Sequence, residues 1–222
     1  MAKFEVVEIF SSINGEGKRA GELAVFVRLK GCNLNCSYCD TTWANKKDAN
    51  CVIMTEDEIY NKVKKENINN VTITGGEPLF RKNIDVLLKK LSDDESLNIE
   101  IETNGSVDIK EFADISCRIS FTLDYKLNGS GMEEYMKTDN YSYISSKDTV
   151  KFVVSDRNDL NKAKQIIDTF RLDERCNVYL SPVFGRIEPK EIVEYMKEQN
   201  MNKVRIQLQL HKFIWDPQQK GV

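Results

Sequence analysis

The sequence predicts an α/β protein built as an incomplete (partial), TIM-like (βα) barrel, and three observations point to it. Apolar runs of strand length alternate with stretches whose apolar residues recur at helical spacing, from residue 55 to residue 210. The segments rich in glycine, cysteine or unusual polar residues follow the strand runs in nearly every case. The 222 residues and about seven candidate strands fall short of the ~250 residues that a closed eight-unit barrel typically takes. Strands that alternate with helices are joined by right-handed crossovers, which brings their carboxyl ends to one edge. Loops converge at that edge, so the chemistry is expected there.

Taken in order, Phe4 to Phe10 reads as a short strand and Ser11 to Gly17 as a polar, glycine-punctuated loop. That loop lacks the Gly-Lys-Ser/Thr of a phosphate loop and the spacing of a dinucleotide fingerprint. Leu23 to Lys30 is an apolar run of strand length that contains Arg28. An arginine there either snorkels to solvent or neutralises a carboxylate in the site, and the second is expected. Thr55-Glu56-Asp57-Glu58 forms a capping box and opens a helix to about Lys65. Val71 to Thr74 is a strand ending in Gly75-Gly76-Glu77-Pro78, followed by a helix with Ile84, Leu87, Leu88 and Leu91 on its apolar side. Asn98 to Glu102 is a strand ending in Thr103-Asn104-Gly105, and Ser116 to Leu123 is another, leading into Asp124-Tyr125-Lys126. Val150 to Val154 precedes a long amphipathic helix from Asp156 to Phe170. Val178 to Leu180 leads into Ser181-Pro182-Val183, Pro189 opens a helix to Gln199, and Val204 to Leu210 closes the series before His211.

The most informative stretch runs from Gly31 to Thr41, directly after the second strand, and holds Cys32, Cys36 and Cys39 in a Cys-x3-Cys-x2-Cys spacing. Three thiolates on a short loop suit an iron–sulfur cluster or a zinc ion. A structural zinc site wants four protein ligands, and no further Cys or His follows until Cys51, so the natural reading is a four-iron cluster with one iron open to a small molecule. Cys51, Cys117 and Cys176 stand alone and read as small hydrophobes or free thiols. His211, the only histidine, reads as a packing or hydrogen-bonding residue.

A hydrophobic content of 41% supports one sizeable core, and residues 1–222 are expected to form a single domain. The segments 1–22 and 211–222 are expected to contribute to its site. Charged residues make up 30% of the chain with a net charge of −3, which disfavours direct nucleic-acid binding. No apolar run is long enough to span a bilayer and Met1-Ala2-Lys3-Phe4 carries no signal-peptide pattern, so no membrane partner is expected and the cytoplasm is the expected location.

The cysteine spacing resembles the radical S-adenosylmethionine (SAM) superfamily, in which three cysteines hold a [4Fe-4S] cluster and SAM chelates the fourth iron. Gly75-Gly76-Glu77-Pro78 resembles the SAM-binding turn of that superfamily, so the barrel is expected to be of the radical SAM type. More narrowly, Glu8 to Gly17, Phe26 to Cys32, Cys39-Asp40-Thr41 and Gln209 to Trp215 resemble the 7-carboxy-7-deazaguanine synthase family over essentially the whole chain. The resemblance implies a lyase of queuosine biosynthesis that converts 6-carboxy-5,6,7,8-tetrahydropterin to 7-carboxy-7-deazaguanine with loss of ammonia. Its cofactors would be the cluster, SAM as a recycled radical source, and Mg2+.

Carried over by position, the resemblance implies that Cys32, Cys36 and Cys39 ligate the cluster and that Thr41 ligates Mg2+. SAM would be held by Tyr38, Cys39, Asp40, Gly76, Glu77, Thr103 and Asn104, with Asp124, Lys126, Ser181, Pro182 and Val183 from later strand ends. Ile13, Asn14, Gly15, Arg28 and Thr74 would hold the pterin, and no side chain is assigned as a catalytic acid or base. A flavodoxin- or ferredoxin-type electron donor and a homodimer are the partners implied. The chain departs from the family pattern at Asn14, where many members have Gln, and at Asp124-Tyr125-Lys126, where others have Ser-Pro-Lys. It also carries Ser181-Pro182-Val183 where others have Gln-Pro, and it continues past Pro217. Two rival readings are an activase of a glycyl radical enzyme and a non-catalytic zinc-binding module.

Overall fold

A computed structural model describes residues 1–217 and 219–222. Nine strands form one sheet: β1 (Phe4–Ile13), β2 (Leu23–Leu29), β3 (Val52–Met54), β4 (Asn70–Gly75), β5 (Asn98–Thr103), β6 (Ile119–Tyr125), β7 (Thr149–Val154), β8 (Asn177–Pro182) and β9 (Val204–Ile206). Their order is β3-β1-β2-β4-β5-β6-β7-β8-β9. Neighbours from β2 through β9 run parallel, whereas β1 pairs antiparallel with both β2 and β3. The sheet is open, with β3 and β9 at its edges. The helices are α1 (Thr42–Asn45), α2 (Glu56–Lys65), α3 (Ile84–Ser92), α4 (Lys110–Ala113), α5 (Arg157–Phe170), α6 (Leu172–Arg175), α7 (Pro189–Glu198) and α8 (His211–Ile214).

The expected starts and stops of the long helices have physical causes that the structure bears out. Thr55 and Glu58 exchange bonds as a capping box at α2, Asp156 accepts from Asp159 N at α5, and Pro189 occupies the first turn of α7. Four features differ from the sequence reading. Strand β1 runs on through Ser11 and Ser12, because its antiparallel pairing with β2 continues to Ile13 opposite Leu23. The short α1, β3, α4, α6 and α8 were not expected; each is too brief for a periodic signal. Strand β6 begins at Ile119, three residues later than expected, after a turn closed by Ile119 N donating to Ser116 O. Finally, β9 ends at Ile206; Gln207 N still donates to Leu180 O of β8 at 2.9 Å, and residues 208–210 leave the sheet.

The two faces of the sheet are chemically distinct. On one, Val25, Val27, Leu29, Val71, Ile73, Ile99, Ile101, Phe121, Leu123, Val150, Phe152, Val178 and Leu180 pack into a core with Ile59, Val63, Leu87, Leu88, Leu160 and Ile167 from the helices. The alternate positions put Arg28, Thr72, Thr74, Glu100, Glu102, Thr122, Asp124, Lys151 and Ser181 on the other face. Parallel strands covered on both faces read as continuous apolar runs. The alternation here marks a sheet whose helices cover one face and whose other face lines a polar hollow.

Residues 14–22, joining β1 to β2, fill the amino end of that hollow. Asn14 Oδ1 accepts from Thr72 Oγ1 at 2.8 Å, and Lys151 Nζ reaches Glu16 Oε2 at 3.1 Å. Gly17 and Gln207 exchange two bonds, N to Oε1 at 2.7 Å and Nε2 to O at 3.0 Å. Gly17 has φ of +79°, and a Cβ there would sit 2.7 Å from Glu100 Oε1, so glycine is required both for the turn and for the fit.

Glu100 is 5% exposed, and burial pushes its carboxyl up to about 7 although Thr122 Oγ1 donates to it. The folded chain therefore retains a proton that the unfolded chain releases above its ordinary value of 4.5. This contribution is fully present below about pH 4.5 and is lost as pH rises through about 7. Glu100→Gln is expected to raise thermal stability at pH 8 by up to about 3 kcal/mol and to change nothing at pH 4, measured by melting the metal-free protein across that range.

Candidate functional site

The site is built where the carboxyl ends of β2, β4, β5, β6 and β8 meet the hollow. Its upper wall is the cysteine loop, which leaves β2 at Leu29 and is tied down on two sides. Asn33 Nδ2 donates to Ser106 Oγ at 2.8 Å after β5. On the β6 side, Ser37 N donates to Ser130 O at 3.0 Å and Ser37 Oγ to Gly129 O at 2.7 Å. Cys32 Sγ accepts from Leu34 N at 3.4 Å and Asn104 Nδ2 at 3.5 Å, while Cys39 Sγ lies 3.6 Å from Thr41 Oγ1 and 3.9 Å from Asn45 Nδ2. All three thiols are half-buried and free of disulfides. Burial pushes the Cys32 and Cys36 thiols up; Cys39 adds to the rise at both, and Cys32 adds to it at Cys36, where Lys126 works the other way. Without a metal these thiols hold their protons; a cationic cluster would replace them. Among the described residues no three His, Cys, Asp or Glu side chains converge on a single-ion site. Three free thiols grouped on one loop suit an iron–sulfur cluster.

The Gly75-Gly76 turn makes this loop possible. Gly75 has φ of +141°, and a Cβ on it would lie 2.1 Å from Leu29 O; one on Gly76 would lie 2.2 Å from Gly31 O and 2.3 Å from Asn45 Oδ1. Gly76 N donates to Leu29 O at 3.3 Å and Glu77 N to Gly31 O at 3.0 Å. The glycines expected to expose backbone to a ligand thus first serve a backbone-to-backbone contact, and the turn's amides are used in it. Glu77 is wholly buried, accepting from Asn104 N at 2.6 Å, Thr103 Oγ1 at 2.9 Å and Leu79 N at 3.0 Å. Burial pushes its carboxyl up to about 7 against those three donors. Its carboxylate braces the end of β4 against the end of β5.

The remaining expected residues fall into distinct positions. The Tyr38 hydroxyl donates to Val153 O at 3.3 Å and burial pushes it up to about 12; Arg186 lies over its ring. Asp40 is exposed and lies 3.9 Å from Lys212 Nζ. Thr41 caps α1 by position. Ser181 is buried on the polar side, whereas Pro182 alternates to the helix side and Val183 N donates to Val154 O. Ile13 ends β1, and Gly15 packs so closely on His211 that a Cβ would meet Nδ1 at 2.6 Å. Arg28 does neutralise a carboxylate, but it is Glu8 of β1 at 2.7 Å, and no acceptor among the described residues takes its two terminal nitrogens. Thr74 Oγ1 donates to Glu102 Oε2 at 2.7 Å, so Glu102 belongs to the polar hollow rather than to the rim.

A chain of charges crosses the hollow: Lys126 to Asp124 at 2.5 Å, Asp124 to Lys151 at 3.2 Å, Lys151 to Glu16 at 3.1 Å. Burial alone would raise Asp124, but the two lysines hold it below the ordinary carboxylate value. Burial opposes charge on Lys126 and Lys151, yet Asp124 keeps both above theirs. Glu102 is pushed up by burial. Among the described residues, Asn14 Nδ2, Glu16 Oε1, Asn45 Oδ1 and Ser181 Oγ are buried without a partner. Buried polar atoms are normally paired, so these four call for a ligand or water. Sequence reading missed Glu16, Lys151 and Asn45. The polar alternation within β7 would have exposed Lys151, while Glu16 and Asn45 carry no local signal.

Three comparisons relate the chain to known proteins. The radical SAM superfamily model matches residues 26–125. A 7-carboxy-7-deazaguanine synthase of Clostridium acetobutylicum is 52% identical over 99% of both chains, and one of Chlorobaculum tepidum is 35% identical over 100% of this chain and 98% of its own. The fold is similar to the crystal structure of QueE from Escherichia coli, with a TM-score of 0.74 at 20% identity, covering 93% of this chain and 94% of that one.

Gly76→Ala is expected to abolish iron and sulfide uptake on anaerobic reconstitution while leaving the circular dichroism of the sheet intact. The clash with Gly31 O displaces the cysteine loop at a cost of about 1–3 kcal/mol, well below global unfolding.

Proposed function

We propose, from the premise that the chain belongs to the 7-carboxy-7-deazaguanine synthase family of radical SAM enzymes, that its hollow converts 6-carboxy-5,6,7,8-tetrahydropterin to 7-carboxy-7-deazaguanine with loss of ammonia. The observation that carries this reading is a trio of thiols set over a polar hollow that retains unpartnered buried atoms. Cys32, Cys36 and Cys39 would hold the cluster, and the cysteine loop with the ends of β4, β5 and β8 would hold SAM. When bound, the cluster and SAM supply the one-electron chemistry that begins hydrogen abstraction from the substrate.

The chain's own residues bind, orient and exclude water. The carbonyls of the Gly75-Gly76 turn and Asn45 Oδ1 suit an ammonium, which needs acceptors, and Ser181 Oγ supplies a further polar contact. Glu77 acts through Thr103 and Asn104, which it fixes. Tyr38, Asp40, Lys126 and Val183 line the rim, with Asp124 fixing Lys126. Below them, Glu102 presents a carboxylate to the amine and amide N–H groups of a pterin edge, with Thr74 orienting it. Asn14 Nδ2 offers a donor to the ring, and Ile13 and Gly15 form the floor. The terminal nitrogens of Arg28 pair with the substrate carboxylate, a geometry that a planar fork satisfies and an ammonium does not. Thr41 Oγ1 is a hard oxygen ligand suited to Mg2+, which favours such donors. Residues 207–212 run from the floor, where Leu210 N donates to Gly15 O at 3.1 Å, up to Asp40, and so shield the open side of the hollow. The proposal extends to a flavodoxin- or ferredoxin-type electron donor, a homodimer and a cytoplasmic location.

Anaerobic incubation with a reductant, SAM, Mg2+ and the carboxypterin should yield the deazapurine by mass spectrometry, with SAM conserved. SAM consumed irreversibly with no deazapurine formed would refute the reading. Cys36→Ala should lose both cluster absorption and product. Arg28→Gln should raise KM for the carboxypterin by about 10- to 100-fold with a smaller change in kcat, since a charge-assisted bond contributes about 1.5–3 kcal/mol.

A further inference from the structure

The sulfurs of the cysteine loop are not equivalent in their hydrogen-bonding surroundings. Cys32 Sγ accepts from Leu34 N at 3.4 Å and from Asn104 Nδ2 at 3.5 Å. Cys39 Sγ lies 3.9 Å from Asn45 Nδ2 and 3.6 Å from Thr41 Oγ1. Among the described residues, nothing donates to Cys36 Sγ. The two side-chain amides therefore approach the outer cysteines of the motif, while the middle one has no hydrogen-bond donor and instead faces the charge of Lys126.

Asn104 is held for this task from every side. It is 6% exposed, and its backbone N donates to Glu77 Oε2 at 2.6 Å. Its Oδ1 accepts from Ser106 N at 2.9 Å and Ser106 Oγ at 2.6 Å, which fixes the amide so that Nδ2 faces Cys32 and Asn33 Oδ1. An amide spent on its own loop would need no such bracing. Hydrogen bonds to cluster sulfurs are a main determinant of reduction potential, because an N–H stabilises the additional negative charge of the reduced state.

We infer that Asn104, braced by Glu77 and Ser106, is a positioning residue that raises the reduction potential of the cluster through its bond to Cys32, with Asn45 acting more weakly on Cys39. Glu77 thereby serves electron transfer indirectly, by fixing the strand end on which Asn104 stands. This inference rests on the cluster assignment made above. It goes beyond that assignment by giving Asn104 a role that operates in the absence of SAM.

The test is an EPR-monitored redox titration of reconstituted protein without SAM, with iron and sulfide determined on each sample. Wild-type protein that takes up no cluster would overturn the cluster assignment itself and leave the amides nothing to tune. With cluster present, Asn104→Leu is expected to lower the reduced-to-oxidised ratio about tenfold at the wild-type midpoint, which corresponds to about 59 mV for one electron. Asn45→Leu is expected to shift it in the same direction by less. Should Asn104→Leu fail to retain iron, Asn104→Ser and Asn45→Leu carry the test, each expected to move the midpoint downward. An unchanged midpoint in iron-replete variants, or a shift that emerges only after SAM is added, overturns the inference.

Discussion

Two backbones in contact hold this site together. Where β2 ends and the cysteine loop begins, Leu29 O and Gly31 O accept from Gly76 N and Glu77 N at the end of β4, at a separation no side chain at 75 or 76 would allow. The contact carries the parallel pairing of β2 with β4 one step past the sheet. It sets the height of Cys32 above the hollow and brings Asn104 within reach of it through Glu77. A loop anchored only by its own turns would not hold three thiols on an uncovered edge, because half-buried thiols gain nothing from burial there until a metal replaces their protons.

Below that contact the fold tolerates what a closed core would not. Thr72, Thr74, Glu100, Glu102, Thr122, Asp124 and Lys151 all face inward, and most are paired across strands or with the loop 14–22. The lysines are decisive, since Asp124 would be pushed up by burial and instead stays below its ordinary value between Lys126 and Lys151. Glu100 lies deeper, beside Thr122 and the Gly17 backbone, and burial prevails there. The hollow thus holds ion-paired groups and, at Glu100, a carboxyl whose burial opposes its charge.

Much of this was legible in the sequence, for reasons that separate local from distant effects. The strand and helix alternation, the caps at Thr55, Asp156 and Pro189, and the cysteine spacing are properties of a few consecutive residues, and each appeared as expected. The extent of β1 was misjudged because the pairing that keeps Ser11 and Ser12 extended comes from β2, not from their own propensity. The partner of Arg28 was foreseen in kind but not in identity, since Glu8 is twenty residues away and meets it only through that same pairing. Gln207 and Lys151 owe their positions to contacts over long chain separations, which one sequence does not display.

Four buried polar atoms mark where the polar interior is completed from outside the chain. Asn14 Nδ2, Glu16 Oε1, Asn45 Oδ1 and Ser181 Oγ have no partner among the described residues, and a buried donor or acceptor left unmade costs about 1–3 kcal/mol, so each calls for a ligand or water. Polar groups fixed in advance discriminate against a ligand lacking the matching donor or acceptor more strongly than apolar walls would. The apolar face, with its continuous packing from Val25 to Ile192, is what allows the polar face to remain incomplete.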